Sequence, residues 1–281
     1  MATNQQLLAR FLDSLTTSKS PSTLKNYRLD LQKFVDFIEP KSLTTVDSVD
    51  IQSYFNHLTQ QKRGAATMQR RLSSLRQLYK YLIKQGLMTK SPLIKIQLAR
   101  VKSNQQRATA LTSDEQAALL KLVQEQFDRR EVVIIRLLME VGLKPNELLN
   151  LKWADIDFDS RTLRVRARKD ERIITVSKDL LKMLDDDKRL SKYDIIITNQ
   201  FGERLSIDGL YYLIRQIEKV WGHPLTMSQL RETARQTSSQ NHPSLTELQN
   251  QFGDRSSITT MRHLPITVQH LKEDYQRYFK R

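Results

Sequence analysis

Thr67-Met68-Gln69-Arg70-Arg71-Leu72-Ser73-Ser74-Leu75-Arg76-Gln77-Leu78-Tyr79-Lys80-Tyr81-Leu82-Ile83-Lys84-Gln85-Gly86 reads as one long amphipathic helix with two unlike faces. Leu72, Leu75, Leu78, Tyr79 and Leu82 recur at three- and four-residue spacing, the period of a helix face laid on a core. The opposite stripe, Arg70, Ser73, Gln77, Lys80 and Lys84, is polar or cationic and holds no acid. Gly86 closes the helix in the manner of a C-cap, where a positive φ is needed. A cationic stripe on a rigid rod is what a helix lying along a phosphate-lined groove requires.

The surroundings extend that bias. Residues 51–113 contain no Asp or Glu but 12 Lys and Arg, and residues 1–108 carry a net charge of +12. The remaining 173 residues carry only +3 of the total +15. A one-sign field of this size opposes compaction unless an anion neutralises it, and a polyphosphate does so by releasing its counterions. Over so long a stretch a nucleic-acid partner is favoured above a merely solvated face. Lys25, Lys62, Arg63, Arg70, Arg71 and Arg76 are the expected phosphate or groove contacts.

The first 90 residues read as four helices. Ser20-Pro21-Ser22-Thr23 is a start signal, followed by Leu24, Tyr27, Leu31, Phe34 and Phe37 on one face. Asp47 or Ser48 can cap the next helix, through Ile51, Tyr54, Phe55 and Leu58. Residues 93–109 lack periodicity and carry Lys95, Arg100, Lys102 and Arg107, a basic linker. Thr112-Ser113-Asp114-Glu115 is a capping box that opens a second domain. Arg161–Arg166 and Arg172–Val176 alternate as a hairpin, Asp194–Thr198 suggests a third strand, and the chain from Ser206 onward reads as helical. The expected organisation is a helical domain at 1–92, a linker at 93–109 and a second domain at 110–281. The fold class is mainly α with a small β-sheet (α+β).

Composition closes off other classes. With no Cys there are no disulfides and no thiolate metal sites, which suits a reducing cytosol. No apolar run approaches the roughly 18 residues that span a bilayer, and the N-terminus lacks a signal-peptide core, so a cytoplasmic, nucleoid-associated protein without a membrane partner is expected. His223, His242, His263 and His270 form no i,i+4 pair, and Asp185-Asp186-Asp187 point apart on a helix end, so no metal site is expected. Trp153 and Trp221 sit in apolar contexts that favour core packing.

Several segments together resemble the tyrosine recombinase (phage integrase, Xer-type) family. Ser22-Thr23-Leu24, Tyr27, Asp30-Leu31 and Phe34, with Arg70–Arg76, Tyr79, Leu82 and Gly86-Leu87, are similar to its SAM-like core-binding domain. Val141-Gly142-Leu143-Lys144-Pro145-Asn146-Glu147-Leu148, with Leu151, Trp153 and Asp155, looks like the Gly-Leu-Arg-x-x-Glu-Leu helix end. Ser228-Gln229-Leu230-Arg231 stands where a His-x-x-Arg box belongs. Phe252–Ser256 and Thr259–His263 stand where Gly-His-x-Ser and Thr-Thr-x-x-Tyr belong. The resemblance implies a C-shaped clamp on duplex DNA. It also implies a Tyr nucleophile that forms a 3′-phosphotyrosyl link, two Arg that bind the non-bridging oxygens, a hairpin Lys acting on the leaving oxygen, and no metal or other cofactor.

The departures then matter. The first Arg is Lys144, a point charge without the planar fork. The box His is Ser228, the second His or Trp is Asp254, and the nucleophile position holds His263. Arg231 is retained. The hairpin Lys is Lys169, with Arg168 as the equal alternative. Asp254 directed at a phosphate opposes binding unless it pairs with Arg255 or turns away. Four replacements in one site imply a family member whose cleavage machinery is broken, in an architectural, regulatory or partner-dependent role. The alternative is an active recombinase with a displaced nucleophile, Tyr275 or Tyr278, or less readily His263. The family's exchange of C-terminal helices implies self-association, or a partner recombinase, through the segment after His263.

Overall fold

The computed structural model describes residues 2–94, 96, 108–166, 170–240 and 243–263. They fall into two compact units, Met1–Gln106 and Arg107–Arg281.

The first unit is helical: α1 (Asn4–Asp13), α2 (Pro21–Ile38), α3 (Ser48–Gln60) and α4 (Ala65–Lys84). Side chains written into the sequence set each start. Thr3 caps α1, Ser20 accepts from Thr23 N–H ahead of Pro21, and Asp47, not Ser48, caps α3 in a capping box with Asp50. Helix α4 begins at Ala65, two residues before the expected start, and Gly86 beyond its end has φ 72°. Leu72, Leu75, Leu78, Tyr79 and Leu82 are all 0–1% exposed, so each leucine contributes about 1.5–3 kcal/mol by burial. They meet Phe11, Leu31, Phe34, Tyr54 and Phe55 in one core. Leu93 and Ile96 also pack into that core, so the helical unit extends past the expected boundary at residue 92.

The second unit opens at the predicted capping box. Thr112 Oγ1 accepts from Glu115 N–H, and α5 (Ser113–Gln126) follows. Helix α6 (Arg129–Arg136) widens into a π-helical turn over Leu137–Val141, which ends at Gly142 with φ 70°. A Cβ at that glycine would lie 2.5 Å from Phe252 Cε1 and 3.0 Å from Ala234 Cβ, so both the conformation and the packing demand Gly. Pro145 opens the short α7 (Pro145–Leu149). A three-stranded antiparallel sheet follows: β1 (Ile156–Asp157), β2 (Thr162–Arg166) and β3 (Glu171–Thr175), in the order β1-β2-β3.

The hairpin is where the alternation placed it, but the third strand is not. Ile156–Asp157 pairs with β2, while Asp194–Thr198 makes only isolated bridges, Lys152 with Ile195 and Thr198 with Arg204. The run Ile195-Ile196-Ile197 is apolar because Ile197 packs in the core, a need that periodicity does not distinguish from strand pairing. The remainder is α8 (Lys178–Leu190), α9 (Ile207–Trp221), α10 (Met227–Ser239), α11 (Leu245–Phe252) and α12 (Ser257–His263). Asp185, Asp186 and Asp187 lie within α8 and are held by Arg189 and Arg129. Trp153 packs in the core at 9% exposure, and Trp221 lies partly buried against it.

Candidate functional site

Three chain breaks in helical geometry converge in the second unit. The π-turn ending at Gly142, the N-terminus of α7 at Lys144 and the C-terminus of α11 at Gly253 all face α10. That helix presents Arg231, Glu232 and Arg235, and its buried Leu230, Thr233 and Ala234 seat it in the fold. Gly253 ends α11 in the left-handed region, with φ 57°, and returns the chain sharply towards α12.

Arg231 is 13% exposed at its side chain. One terminal nitrogen donates to the carbonyl of Gly142, and Nη2 donates to the carbonyl of Phe252 at 2.6 Å. These are the orphan carbonyls that two helix ends leave behind, so the guanidinium serves as a shared C-terminal cap. Burial, reinforced by the nearby Arg235 charge, lowers its pKa to about 10, which still leaves it protonated at neutral pH. Lys144 makes the same kind of contact. Its Nζ donates to the carbonyl of Gly253 at 2.9 Å and lies 3.8 Å from Glu147. Burial lowers its pKa, against the opposing pull of Glu147.

Two carboxylates neutralise the remaining cations. Arg172, on the inward side of β3, makes a two-point contact with Glu147, Nη1 to Oε1 and Nη2 to Oε2 both at 2.8 Å, and its Nε donates to Gln251 O at 2.9 Å. Burial alone would raise the Glu147 carboxyl, but those hydrogen bonds, the Lys144 backbone N–H and the adjacent positive charges hold it below the ordinary range. Asp254 is bound in the same way by Arg235, at 2.7 and 2.8 Å. It also accepts from Thr260 Oγ1 at 3.2 Å and lies 3.9 Å from Arg231. Again burial raises this carboxyl and its cationic and hydroxyl partners outweigh it, so the net direction is down. The ring of Phe252 supports both guanidinium groups, 4.6 Å from Arg235 Cζ and 5.5 Å from Arg231 Cζ.

Of the residues singled out from the sequence, the structure brings together Lys144, Arg231 and Asp254. Ser228 lies exposed in the first turn of α10, and His263 ends α12 with Nδ1 2.8 Å from Glu232 Oε2. Lys169, its alternative Arg168, Tyr275, Tyr278, His242 and His270 lie outside the described residues. The expectation that Asp254 pairs with Arg255 is corrected: Arg255 is exposed, and the partner is Arg235. Arg235 was missed, although it follows Arg231 by one helical turn and so lies on the same face. Glu147 and Arg172 were read as parts of a motif and a strand. Each needs the fold to find the other. No cluster of His, Cys, Asp and Glu suited to a metal occurs among the described residues.

In the first unit, Lys25, Lys62, Arg63, Arg70 and Arg76 are exposed, as are Ser73, Gln77, Lys80 and Lys84 of the α4 stripe. Arg71 is not available to a phosphate. It is 5% exposed, donates to Tyr54 Oη at 2.9 Å, and lies 3.8 Å from the buried Asp30. Adjacent helix positions diverge by about 100°, which sends Arg71 into the core while Arg70 stays at the rim, bound to Asp30 at 2.5 Å and 45% exposed.

The chain is thus a helical unit followed by a helical unit with a small sheet, its second-unit cations gathered at helix ends. The chain belongs to the phage integrase family: residues 109–270 match the Phage integrase family, and residues 8–86 match the phage integrase N-terminal SAM-like domain. It is 25% identical to the tyrosine recombinase XerC of Pediococcus pentosaceus, over 98% of each chain. It is 26% identical to the tyrosine recombinase XerD of Listeria monocytogenes, over 98% of this chain and 99% of that one. The fold is shared with XerH site-specific recombinase bound to palindromic difH substrate in a post-cleavage complex, with a TM-score of 0.76 at 20% identity over 98% and 95% of the two chains. It is also shared with a lambda integrase dimer bound to a COC′ core site, with a TM-score of 0.75 at 20% identity over 93% and 77%.

Proposed function

We propose that this chain is a DNA-binding member of its family that engages duplex DNA without cutting it by the tyrosine mechanism. One observation carries the reading: the terminal nitrogens of Arg231, the arginine kept at the His-x-x-Arg position, donate to the carbonyls of Gly142 and Phe252. A guanidinium occupied at both ends by helix termini is poorly placed to grip a scissile phosphate. Lys144 is likewise drawn to a carbonyl, Asp254 places a negative charge beside Arg231, and His263 stands where a tyrosine would attack.

Binding falls chiefly to the first unit, whose exposed Lys25, Lys62, Arg63, Arg70, Arg76, Lys80 and Lys84 form an acid-poor surface. The related structures of a lambda integrase dimer and of XerH, both bound to DNA, support a duplex partner and self-association, which we assign to the segment after His263. The chain acts as an architectural, regulatory or partner-dependent component of DNA recombination in the cytoplasm, on the nucleoid. The first unit, whose core takes in Leu93 and Ile96, is the DNA-binding domain, and residues 110–281 are the catalytic-like domain.

Two measurements test this. Duplex affinity should fall steeply with salt, whereas a flat salt response removes the electrostatic reading. On a nicked duplex that the protein binds, denaturation in SDS should leave no attached strand. An adduct that is lost in Tyr275→Phe or Tyr278→Phe establishes the active alternative.

A further inference from the structure

We infer that Asp254 is a resident anion, occupying an oxyanion seat that α10 and α12 still build. This deepens the preceding reading of the second unit and rests on it. The seat has the composition that recognises a tetrahedral oxyanion: the fork of Arg235 at 2.7 and 2.8 Å and the Thr260 hydroxyl at 3.2 Å converge on one carboxylate, with the Arg231 charge 3.9 Å away while its own nitrogens donate to two carbonyls. The two donors are 7% and 1% exposed, so most of their desolvation cost is already met.

The backbone delivers the carboxylate to that point. Gly253 turns the chain left-handed at the end of α11, and Asp254 N–H donates to Gln249 O at 3.1 Å. The Gln249 side-chain amide donates back to Asp254 O at 3.2 Å. A residue clamped on both sides of its peptide has its Cβ direction set before the side chain chooses a partner. Arg235, one turn beyond Arg231, holds this anion with both terminal nitrogens while its guanidinium lies 4.6 Å from the centre of the Phe252 ring. The site therefore excludes a phosphate by occupancy. Its donors are intact, and removing one carboxylate should reopen it to inorganic phosphate and, by the same chemistry, to a phosphodiester.

The full chain and three variants, Asp254→Ala, Asp254→Ser and Asp254→Ala/Arg235→Met, test the inference by thermal unfolding followed in tryptophan fluorescence. Both tryptophans, Trp153 and Trp221, belong to the second unit. Inorganic phosphate is titrated against chloride of equal ionic strength. Asp254→Ala should be stabilised saturably, with a phosphate Kd roughly tenfold or more below that of the wild type, and the Arg235→Met double variant should lose the gain. Formate, which matches the missing carboxylate in size and charge, should raise the Asp254→Ala midpoint towards the wild-type value. Equal phosphate responses in wild type and Asp254→Ala overturn the inference, as does a gain that persists without Arg235. Should Asp254→Ala fail to fold, Asp254→Ser, which also empties the seat but keeps a small polar side chain, must show a gain in the same direction; a response equal to wild type counts against the seat. No DNA enters this assay, so a phosphate-insensitive Asp254→Ala that still binds duplex sinks the inference alone. An SDS-stable strand adduct sinks the functional reading instead.

Discussion

Arg172→Met isolates a buried ion pair of the second unit. The substitution keeps an unbranched side chain of similar length on β3 but removes both hydrogen bonds to Glu147 and the one to Gln251 O. Glu147 is 5% exposed at its side chain, so it cannot turn to water, and Lys144 at 3.8 Å replaces little of the lost fork. Removing one partner of a buried pair costs about 3–5 kcal/mol, a large fraction of a domain's stability. The sign of the pH effect follows from the same geometry. In wild type the Glu147 pKa is depressed, so its contribution is present above the unfolded carboxyl pKa and is lost as pH falls through the folded value. Without Arg172 burial dominates, the carboxyl pKa rises, and the variant takes up a proton on folding. The cost of the substitution should therefore be greatest near pH 7 and shrink towards about pH 5. Urea unfolding read by Trp153 and Trp221 reports the second unit alone, which avoids treating a two-unit chain as one transition. The double variant Glu147→Leu/Arg172→Met should recover most of the loss, because no charge is then left buried. A single-variant cost below about 1 kcal/mol, or a double variant as unstable as the single, refutes the reasoning.

Other expectations follow from neighbouring features. Wild type should lose stability as pH falls below the ordinary carboxyl pKa of about 4, because the unfolded chain then binds protons that Glu147 and Asp254, lowered in the folded state, take up only at lower pH; tryptophan-monitored unfolding across pH checks this. Arg71→Ala should destabilise the first unit by about 1–3 kcal/mol in far-UV circular dichroism melts, since it strips the partner from Tyr54 Oη and weakens the cage around Asp30. Lys80→Ala, exposed on the same helix, should leave the melt unchanged and lower the salt dependence of duplex binding by about 0.9 in log–log slope if it contacts one phosphate. Gly142→Ala should cost about 2 kcal/mol or more, and Gly86→Ala only about 1 kcal/mol. The two share a positive φ, but a Cβ at Gly142 meets Phe252, and at Gly86 it meets open space.

The helices were legible because their signals are local. The spacing of Leu72, Leu75, Leu78 and Leu82, the caps at Ser20, Asp47 and Thr112, and the terminator Gly86 each act within a turn or two of chain, and each occurs where the sequence placed it. The β2–β3 hairpin was legible for the same reason. The Asp194–Thr198 segment was misread because an apolar run reports burial and not its partner. Arg71 was misassigned because charge in a sequence is counted without regard to where the side chain points, and one residue of helix rotation separates a groove-facing arginine from a core-facing one.

Net charge, helix periodicity and motif order lie in the sequence itself, and with them the family and the helical front unit with its cationic stripe. Tertiary structure alone decided what those residues hold. Arg172 meets Glu147 across 25 residues and Arg235 meets Asp254 across 19, pairings that a buried charge demands but that nothing short of chain folding can select. A desolvated charge takes whichever partner the fold carries to it, and that depends on the crossing of helices and not on neighbours along the chain.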